Sequence, residues 1–362
     1  MHPYANLGSE AFWKTAVAEP GAHGLTGLWT PKFAVQPEHR IVTAGSCFAQ
    51  HIGRALRGRG YAWTDFEPPL PKMTTEEGQA FGYGVFSFRT GNIYTPAMLL
   101  QWLELAYGDR TGPGEVWEKD GRFFDPLRPV IEPGGFASLQ EVWNARENTY
   151  AALRKAVETA DIFVFTLGLT ERWRNNDTGL EYAMCPGTAA GTFDPGTHVF
   201  VNANTRQSFA ALQQAIRVMR ARNKQLRILL TVSPVPLTAT ASGQHVMIAT
   251  QYSKSVLRAV AGMAAEKYPF VDYFPSYEII TNPVFRGMFF APNMRSVVPE
   301  GVETVMSHFF ADQARMFGTA APEPVKAAPV MELAEDAPKW TGKKKTAADV
   351  KCEEEMLNAF AK

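Results

Sequence analysis

The sharpest chemical signal in the sequence is a short turn, Gly45-Ser46-Cys47, between an apolar run and a helical pattern. A turn of this kind places a nucleophile at the C-terminal edge of a sheet, where open α/β proteins bind their ligands. It also lies at a helix N-terminus, whose partial positive charge favours an anion or a thiolate. The structural alternatives are a helix cap for Ser46 and a buried core position for Cys47. The pattern alone leaves these interpretations open.

The elements around this turn alternate between short apolar runs and helical patterns. Strands are predicted at four apolar runs: 40–44, 161–167, 227–232 and 270–274. Helices are predicted at five amphipathic patterns: 48–57, 139–160, 208–222, 251–266 and a last one from Pro299 to about Met316. Strands that alternate with helices predict a parallel sheet flanked by helices. The turn then lies where the first strand ends.

The chain divides into an N-terminal extension, one α/β domain and a charged tail. We predict these three regions at residues 1–37, 38–318 and 319–362. Residues 66–136 and 174–205 exceed a minimal α/β unit, and insertions of this size lie on the surface and shape binding sites. The tail is rich in Pro, Lys and Glu, which favours a disordered, solvated segment with a short helix at 347–360. A docking peptide is the alternative for the tail.

The composition argues against several classes of protein. The 362 residues carry 36 Lys and Arg against 36 Asp and Glu, so the basic field that nucleic-acid binding requires is missing. No apolar run approaches the roughly 18 residues of a membrane-spanning helix. The N-terminus lacks the basic start and apolar run of a signal peptide, and three scattered cysteines are too few for a disulfide framework or a zinc site. We therefore expect a cytoplasmic protein without a metal ion or cofactor.

Residues 45–49 read Gly-Ser-Cys-Phe-Ala, the signature for which the GSCFA family is named. The chain resembles that family over residues 38–315, including four further segments: 91–96, 166–171, 231–235 and 252–258. The family is similar to the SGNH, or GDSL-like, hydrolases. This resemblance implies a three-layer α/β/α sandwich with a mainly parallel, flavodoxin-like sheet. It also implies ester hydrolysis or acyl transfer, often on carbohydrates.

Carried over to this chain, the resemblance assigns the nucleophile to one of two neighbouring residues. SGNH enzymes begin with Gly-Asp-Ser. Aligning the glycines places Cys47 on the nucleophile, whereas a shift by one residue places Ser46 there. We take Ser46 first and keep Cys47 as the alternative. The resemblance also implies three oxyanion donors: Gly91, Gly168 and Thr170, the last where many relatives have Asn.

The standard base of the SGNH enzymes is missing from the sequence. Those enzymes close with Asp-x-x-His before the last helix, but here Asn293 falls on the Asp and Ser296 on the His. Four other histidines could replace the base: His51, His198, His245 and His308. We take His245 first, because it follows the third strand at the edge where strands end, and His51 second, on the helix after the turn. Each must come within about 3 Å of its proton, and an ordinary surface or core position is the alternative.

Two basic residues and two amides are candidates for binding substrate. Lys254 and Arg258 lie one turn apart on a predicted helix and share a face that could receive an anion, or that is simply solvated. Asn92 and Asn293 lie in family-like segments. The leading function is an esterase or acyltransferase acting on an acylated carbohydrate or a related small metabolite. The alternative is a carbohydrate- or partner-binding domain that kept the fold after losing the base. A histidine within hydrogen-bond reach of Ser46 or Cys47 would favour the enzyme, whereas a nearest histidine that lies far away would favour the binding domain.

Overall fold

A computed structural model describes residues 2–318 and 352–361. Within them, the strands in chain order are β1 Ile41–Gly45, β2 Trp117–Lys119, β3 Arg122–Phe124, β4 Ile162–Leu167, β5 Glu171–Asn175, β6 Glu181–Tyr182, β7 His198–Asn202, β8 Arg227–Val232 and β9 Val271–Tyr273. Four of them form a parallel central sheet in the order β1-β4-β8-β9. The prediction of a parallel sheet is confirmed, and the predicted apolar runs form its strands.

The helices alternate with these strands as the sequence predicts. In chain order they are α1 Gly21–Gly24, α2 Phe48–Gly58, α3 Thr75–Ala80, α4 Pro96–Tyr107, α5 Leu139–Thr159, α6 Thr205–Arg222, α7 Val246–Lys267, α8 Ser276–Thr281 and α9 Pro299–Phe317. Two begin earlier than predicted because of their caps. Asn204 and Gln207 form a capping box at α6, and the His245 side chain accepts the N–H of Met247 at the start of α7. The predicted helix at 251–266 therefore begins five residues too late.

The sheet separates two hydrophobic layers. Phe163 and Phe165 of β4 pack on one side with residues of α4, α5, α6 and α7. Ile162 and Val164 point to the other side, where α2, α8 and α9 pack. Alternate residues of a strand face opposite sides of a sheet, so a strand buried on both sides is apolar throughout. The predicted three-layer α/β/α sandwich is confirmed.

Contrary to the expectation from the sequence, the predicted insertion at 66–136 does not lie wholly on the surface. It contains α4, whose Leu99 and Trp102 are buried in the first hydrophobic layer. Thr95 caps this helix by accepting the N–H of Met98, and Pro96 occupies the first turn, where its missing N–H costs nothing. The second insertion, at 174–205, contributes to a small antiparallel sheet in the order β6-β5-β7.

Residues from both the N-terminal extension and the predicted tail pack on the core. In the N-terminal extension, the N–H of Trp29 donates to Asp312 on α9 at 2.9 Å, and its ring stacks on Phe309. At the other end, a 3-10 helix at Glu353–Phe360 lies against the domain, where the sequence predicts a short helix and a solvated tail. The rest of the predicted tail, 319–351 and 362, lies outside the described residues. No helix in the described ranges is long and apolar enough to cross a membrane.

Candidate active site

The turn between β1 and α2 holds Ser46 and Cys47 at the C-terminal edge of the central sheet. Gly45 has a φ of +130°, and a Cβ there would collide with the backbone of Thr166 on β4, so the position requires glycine. The N–H of Ser46 donates to the carbonyl of Thr166 at 2.9 Å. Cys47 is the N-cap residue of α2. The strand–turn–helix arrangement is the one the sequence predicts.

A second turn, at the end of β4, packs directly against the first. The N–H groups of Gly168 and Leu169 each donate to the carbonyl of Tyr94 at 2.9 Å. A Cβ on Gly168 would lie 2.9 Å from the Cβ of Ser46 and 3.1 Å from that same carbonyl, so this close approach also requires glycine. Three chain segments therefore meet around Ser46: the ends of β1 and β4, and the residues before α4.

Ser46 and Cys47 are both buried, with exposed fractions of 2% and 4%, but their surroundings differ. The Oγ of Ser46 has no hydrogen-bond partner among the described residues. The thiol of Cys47 donates a hydrogen bond to the sulfur of Cys352, and this contact together with burial raises the pKa of Cys47 well above its usual value. While Cys352 is in contact with it, Cys47 is therefore a neutral thiol.

Lys254 of α7 brings an amine to the same place. The residue is 1% exposed, and its Nζ donates to the carbonyl of Gly168 at 2.7 Å. Burial lowers the pKa of Lys254 to about 8, because surroundings of low polarity disfavour the charged form. One small cavity is lined by the residues of both turns and by this amine: Ser46, Cys47, Tyr94, Gly168, Leu169, Ser233, Val235, Lys254 and Glu354. An amine with such a pKa can accept a proton from a neighbouring thiol or hydroxyl.

The stretch where the resemblance places a catalytic Asp and His contributes an arginine instead. The side-chain carbonyl of Asn293 accepts the N–H groups of Arg295 and Ser296 at 3.0 and 2.9 Å, which fixes the turn that carries Arg295. The guanidinium of Arg295 donates to the carbonyl of Pro236 at 3.1 Å and to the sulfur of Cys352 at 3.4 Å. This loop therefore adds a positive charge next to the cavity.

Residues 352–361, called the C-terminal segment below, cover the site. The carboxylate of Glu353 accepts hydrogen bonds from the Tyr94 hydroxyl at 2.8 Å and from the side-chain amide of Asn92. The carboxyl group of Glu354 pairs with Arg295 at 3.3 Å, and burial raises the pKa of Glu354 to about 8. One carboxylate thus occupies a pocket of hydrogen-bond donors, and the next carboxyl lines the small cavity.

A larger cavity of about 310 Å³ adjoins the small one, and Tyr94, Leu169 and Glu354 line both. Its walls are mainly apolar and come from α4, from the β6-β5-β7 sheet with its loops, from residues 237–241 and from the C-terminal segment. Its apolar lining residues include Met98, Trp173, Met184, Phe200, Leu237, Leu357 and Phe360. An apolar cavity beside the two candidate nucleophiles is of a kind that suits the hydrocarbon part of an acyl group.

The two histidines predicted as bases, His245 and His51, have partners other than Ser46 and Cys47. His245 is exposed and its Nδ1 accepts the N–H of Met247. His51 packs on Phe48 with 5.6 Å between ring centres, and burial lowers its pKa to about 4. In the part of the chain that the structure describes, no hydrogen bond joins a histidine to Ser46 or Cys47. A base role for either histidine stays a prediction.

The three predicted oxyanion donors have different surroundings. Gly91, with a φ of +68°, lies beside the segment's carboxylate, because a Cβ there would be 3.3 Å from an oxygen of Glu353. The N–H of Gly168 is donated to Tyr94, as described above. The hydroxyl of Thr170 donates to Asn202 at 2.7 Å. Of the three predicted oxyanion donors, Gly91 is therefore the one that lies beside a carboxylate oxygen, that of Glu353.

The four predicted substrate-binding residues divide into two pairs. Lys254 lines the small cavity, and Asn92 donates a hydrogen bond to Glu353 of the segment that covers it. Arg258 forms an ion pair with Glu278 and stacks over Tyr273, and Asn293 is exposed. Roles in substrate binding remain predictions for all four.

Sequence reasoning missed five residues of the site: Tyr94, Arg295, Cys352, Glu353 and Glu354. Tyr94 and Arg295 lie in stretches that the sequence marks, 91–96 and 292–301, but neither spacing nor residue type shows which side chain points to the cavity. The three segment residues come from a charged tail, whose composition predicts solvation.

Across residues 2–318 and 352–361, no group of three or more His, Cys, Asp or Glu is placed to hold a metal ion. The family model of the GSCFA family matches residues 40–309. No curated protein matches the chain.

Proposed function

The chain belongs to the GSCFA family, and on that premise we propose that it is an SGNH-like esterase or acyltransferase with Cys47 as nucleophile and Lys254 as base. The observation that carries the proposal is the shared cavity of Cys47 and the buried amine, next to an apolar cavity of about 310 Å³. The substrate is an ester of a carbohydrate or related metabolite. Its acyl chain replaces Leu357 and Phe360 of the C-terminal segment against the remaining apolar walls of the larger cavity.

Cys47 is preferred to Ser46 because of its electrostatic surroundings. It lies at the N-terminus of α2, and Arg295 lowers its pKa. The pKa of Cys47 is raised because its thiol donates a hydrogen bond to Cys352 of the C-terminal segment, and this bond disappears when substrate displaces the segment. Ser46 packs against Gly168 and serves as the alternative nucleophile.

The reaction begins with the segment displaced. Lys254, as the neutral amine, takes the proton of the Cys47 thiol while the sulfur attacks the ester carbonyl carbon. The negative oxygen of the tetrahedral intermediate lies near Gly91 and Asn92, where the carboxylate of Glu353 lies in the covered state. Collapse expels the alcohol, which takes the proton from Lys254. Water or an acceptor alcohol then attacks the thioester, with Lys254 again as base.

The test is hydrolysis of a series of aryl esters by the reduced full chain and by two single variants. Cys47→Ala is expected to abolish hydrolysis, whereas Ser46→Ala retains it. Loss only in Ser46→Ala would move the nucleophile to the serine. Activity that survives in both variants would contradict the proposal.

A binding domain is the second candidate, because the chain's own segment fills the site and no described histidine bonds to Ser46 or Cys47. This candidate predicts that a medium-chain carboxylate binds in the apolar cavity and displaces the segment, without turnover of any ester. Calorimetric binding together with the ester assay separates the two candidates.

A further inference from the structure

The C-terminal segment brings a second thiol onto the candidate nucleophile. Cys47 and Cys352 are hydrogen-bonded to each other through their side chains, and both are buried. Neither is part of a disulfide in this structure. Cys352 also lies 4.0 Å from the hydroxyl of Tyr94, which lines the same cavity. Two thiols far apart in the sequence thus meet inside the site.

The surroundings of Cys352 favour its thiolate. Arg295 donates to its sulfur at 3.4 Å, and the guanidinium is itself held by Glu354 at 3.3 Å and Glu355 at 3.5 Å. The hydrogen bond from Cys47, together with Arg295, lowers the pKa of Cys352 to about 6. Of the two sulfurs, Cys352 is therefore the one that reacts first with an electrophile.

Contacts independent of the thiols hold the segment in place. Glu353 bonds to Asn92 and Tyr94, and Leu357 and Phe360 line the apolar cavity. These contacts fix the position of Cys352 and make its encounter with Cys47 an intramolecular event.

We propose that Cys47 and Cys352 are a disulfide-forming pair, oxidised by a peroxide, and that the bond fixes the C-terminal segment over the site. The Cys352 thiolate attacks one oxygen of hydrogen peroxide, and the O–O bond breaks. Cys352 becomes a sulfenic acid, and the other oxygen leaves as hydroxide and takes up a proton. The sulfur of Cys47 then attacks the sulfenic sulfur, and the displaced hydroxyl leaves as water with the Cys47 proton. One peroxide and two thiols give one disulfide and two waters.

The formation of this bond does not depend on the proposed function, but its effect on turnover does. Oxidation removes the thiol that attacks the ester and keeps the segment in the cavity. We expect ester hydrolysis to be lost on oxidation and regained with dithiothreitol.

The experiment treats the reduced full chain with an equimolar amount of hydrogen peroxide, alkylates the remaining thiols, and measures intact mass and non-reduced peptide maps. The expected product has lost two hydrogen atoms, carries one alkyl group on Cys185, and contains one linked peptide pair, with Cys47 and Cys352. Cys185→Ser is expected to form the same pair, while Cys47→Ser and Cys352→Ser form none. Thermal unfolding of each reduced variant shows that it is folded.

An intramolecular disulfide that still forms in Cys352→Ser, or a wild-type chain that is oxidised without the Cys47–Cys352 link, would overturn the proposal. The two proposals fail separately. If the disulfide forms but no ester is hydrolysed, only the proposed function is contradicted. If esters are hydrolysed but the disulfide never forms, only the disulfide proposal is contradicted.

Discussion

The two halves of the site are built in different ways. The polar half lies where β1 and β4 end, and its residues are held by the core: Ser46 by the β4 backbone, Lys254 by the carbonyl of Gly168. The apolar half is made by α4, by the β6-β5-β7 sheet and by the chain's own C-terminal segment. The first half has little freedom to vary, because a Cβ at Gly45 or Gly168 collides with its neighbours. In the proposed mechanism, the rigid half carries out the reaction, and the half provided by loops selects the acyl chain.

The largest effect is expected in the polar half. Lys254→Arg keeps a cation near Gly168 but cannot release its proton in the accessible pH range. We expect kcat for a short aryl ester to fall by about 10²–10⁴-fold, the usual contribution of a general base, with KM little changed. The matched control is Lys267→Arg, an exposed lysine at the end of the same helix. An equal loss of kcat in both variants, or a change in KM with kcat unaltered, would show that Lys254 is not the base.

The pH profile of kcat tests the same amine without a substitution at the nucleophile. The base must be neutral, so the rate rises as pH rises through the pKa of Lys254, which is about 8 in the covered state. Displacement of the segment removes Glu354 and Cys352, which raise that pKa, and it also exposes the amine to water, which relieves the burial that lowers the pKa. These two changes oppose each other, so we expect the midpoint to stay near pH 8. Below the midpoint we expect about a tenfold change per pH unit. A profile with a midpoint near pH 6.5 would instead indicate a histidine.

The C-terminal segment spans both halves of the site, so in the proposed mechanism it competes with substrate. Leu357→Ala removes apolar contact from the larger cavity, which weakens docking by about 1–2 kcal/mol and raises the uncovered fraction by about 5–30-fold. We expect kcat/KM to rise by up to that factor in steady-state assays. Met356→Ala, at an exposed neighbour, is the control and should leave kcat/KM unchanged. A fall in kcat/KM for Leu357→Ala would mean that the segment assists the reaction.

The apolar half is expected to control chain length with smaller effects. Ala239→Leu narrows the cavity that Ala239 lines. Each methylene that no longer fits costs about 0.8 kcal/mol, or about fourfold in kcat/KM. Long-chain esters should therefore lose activity stepwise, while acetyl esters keep the kcat of the original chain. Ala151→Leu, on the exposed face of α5, is the control. Equal losses at every chain length would place the acyl group elsewhere.

The sequence predicts the polar half better than the apolar half, for a physical reason. Apolar runs at β1, β4 and β8 predict parallel strands, and strands that end at one edge bring the residues after them together, as Ser46 and Gly168 show. The boundaries of α6 and α7 are missed because the caps Asn204 and His245 are polar residues outside the amphipathic pattern. Propensity and periodicity depend on residues that are neighbours along the chain, so they predict the strands and helices that position the polar half.

The rest of the site depends on contacts between distant residues. Arg295 reaches Cys352 and Glu354 across 33 residues of chain that lie outside the described part, and no local pattern encodes that pairing. Charged tails are usually solvated, but here Glu353 is 8% exposed because Asn92 and Tyr94 satisfy its carboxylate. Such a tertiary contact appears only once the fold has formed.

Trapping the acylated protein tests most directly whether Cys47 is the nucleophile. The reduced full chain is mixed with an aryl ester of a medium-chain acid, quenched in acid within the first turnover, and mapped by peptide mass. We expect an acyl group on the peptide that contains Ser46 and Cys47, lost in Cys47→Ala and retained in Ser46→Ala. An acyl group that persists in Cys47→Ala, or hydrolysis without any acylated peptide, would contradict it.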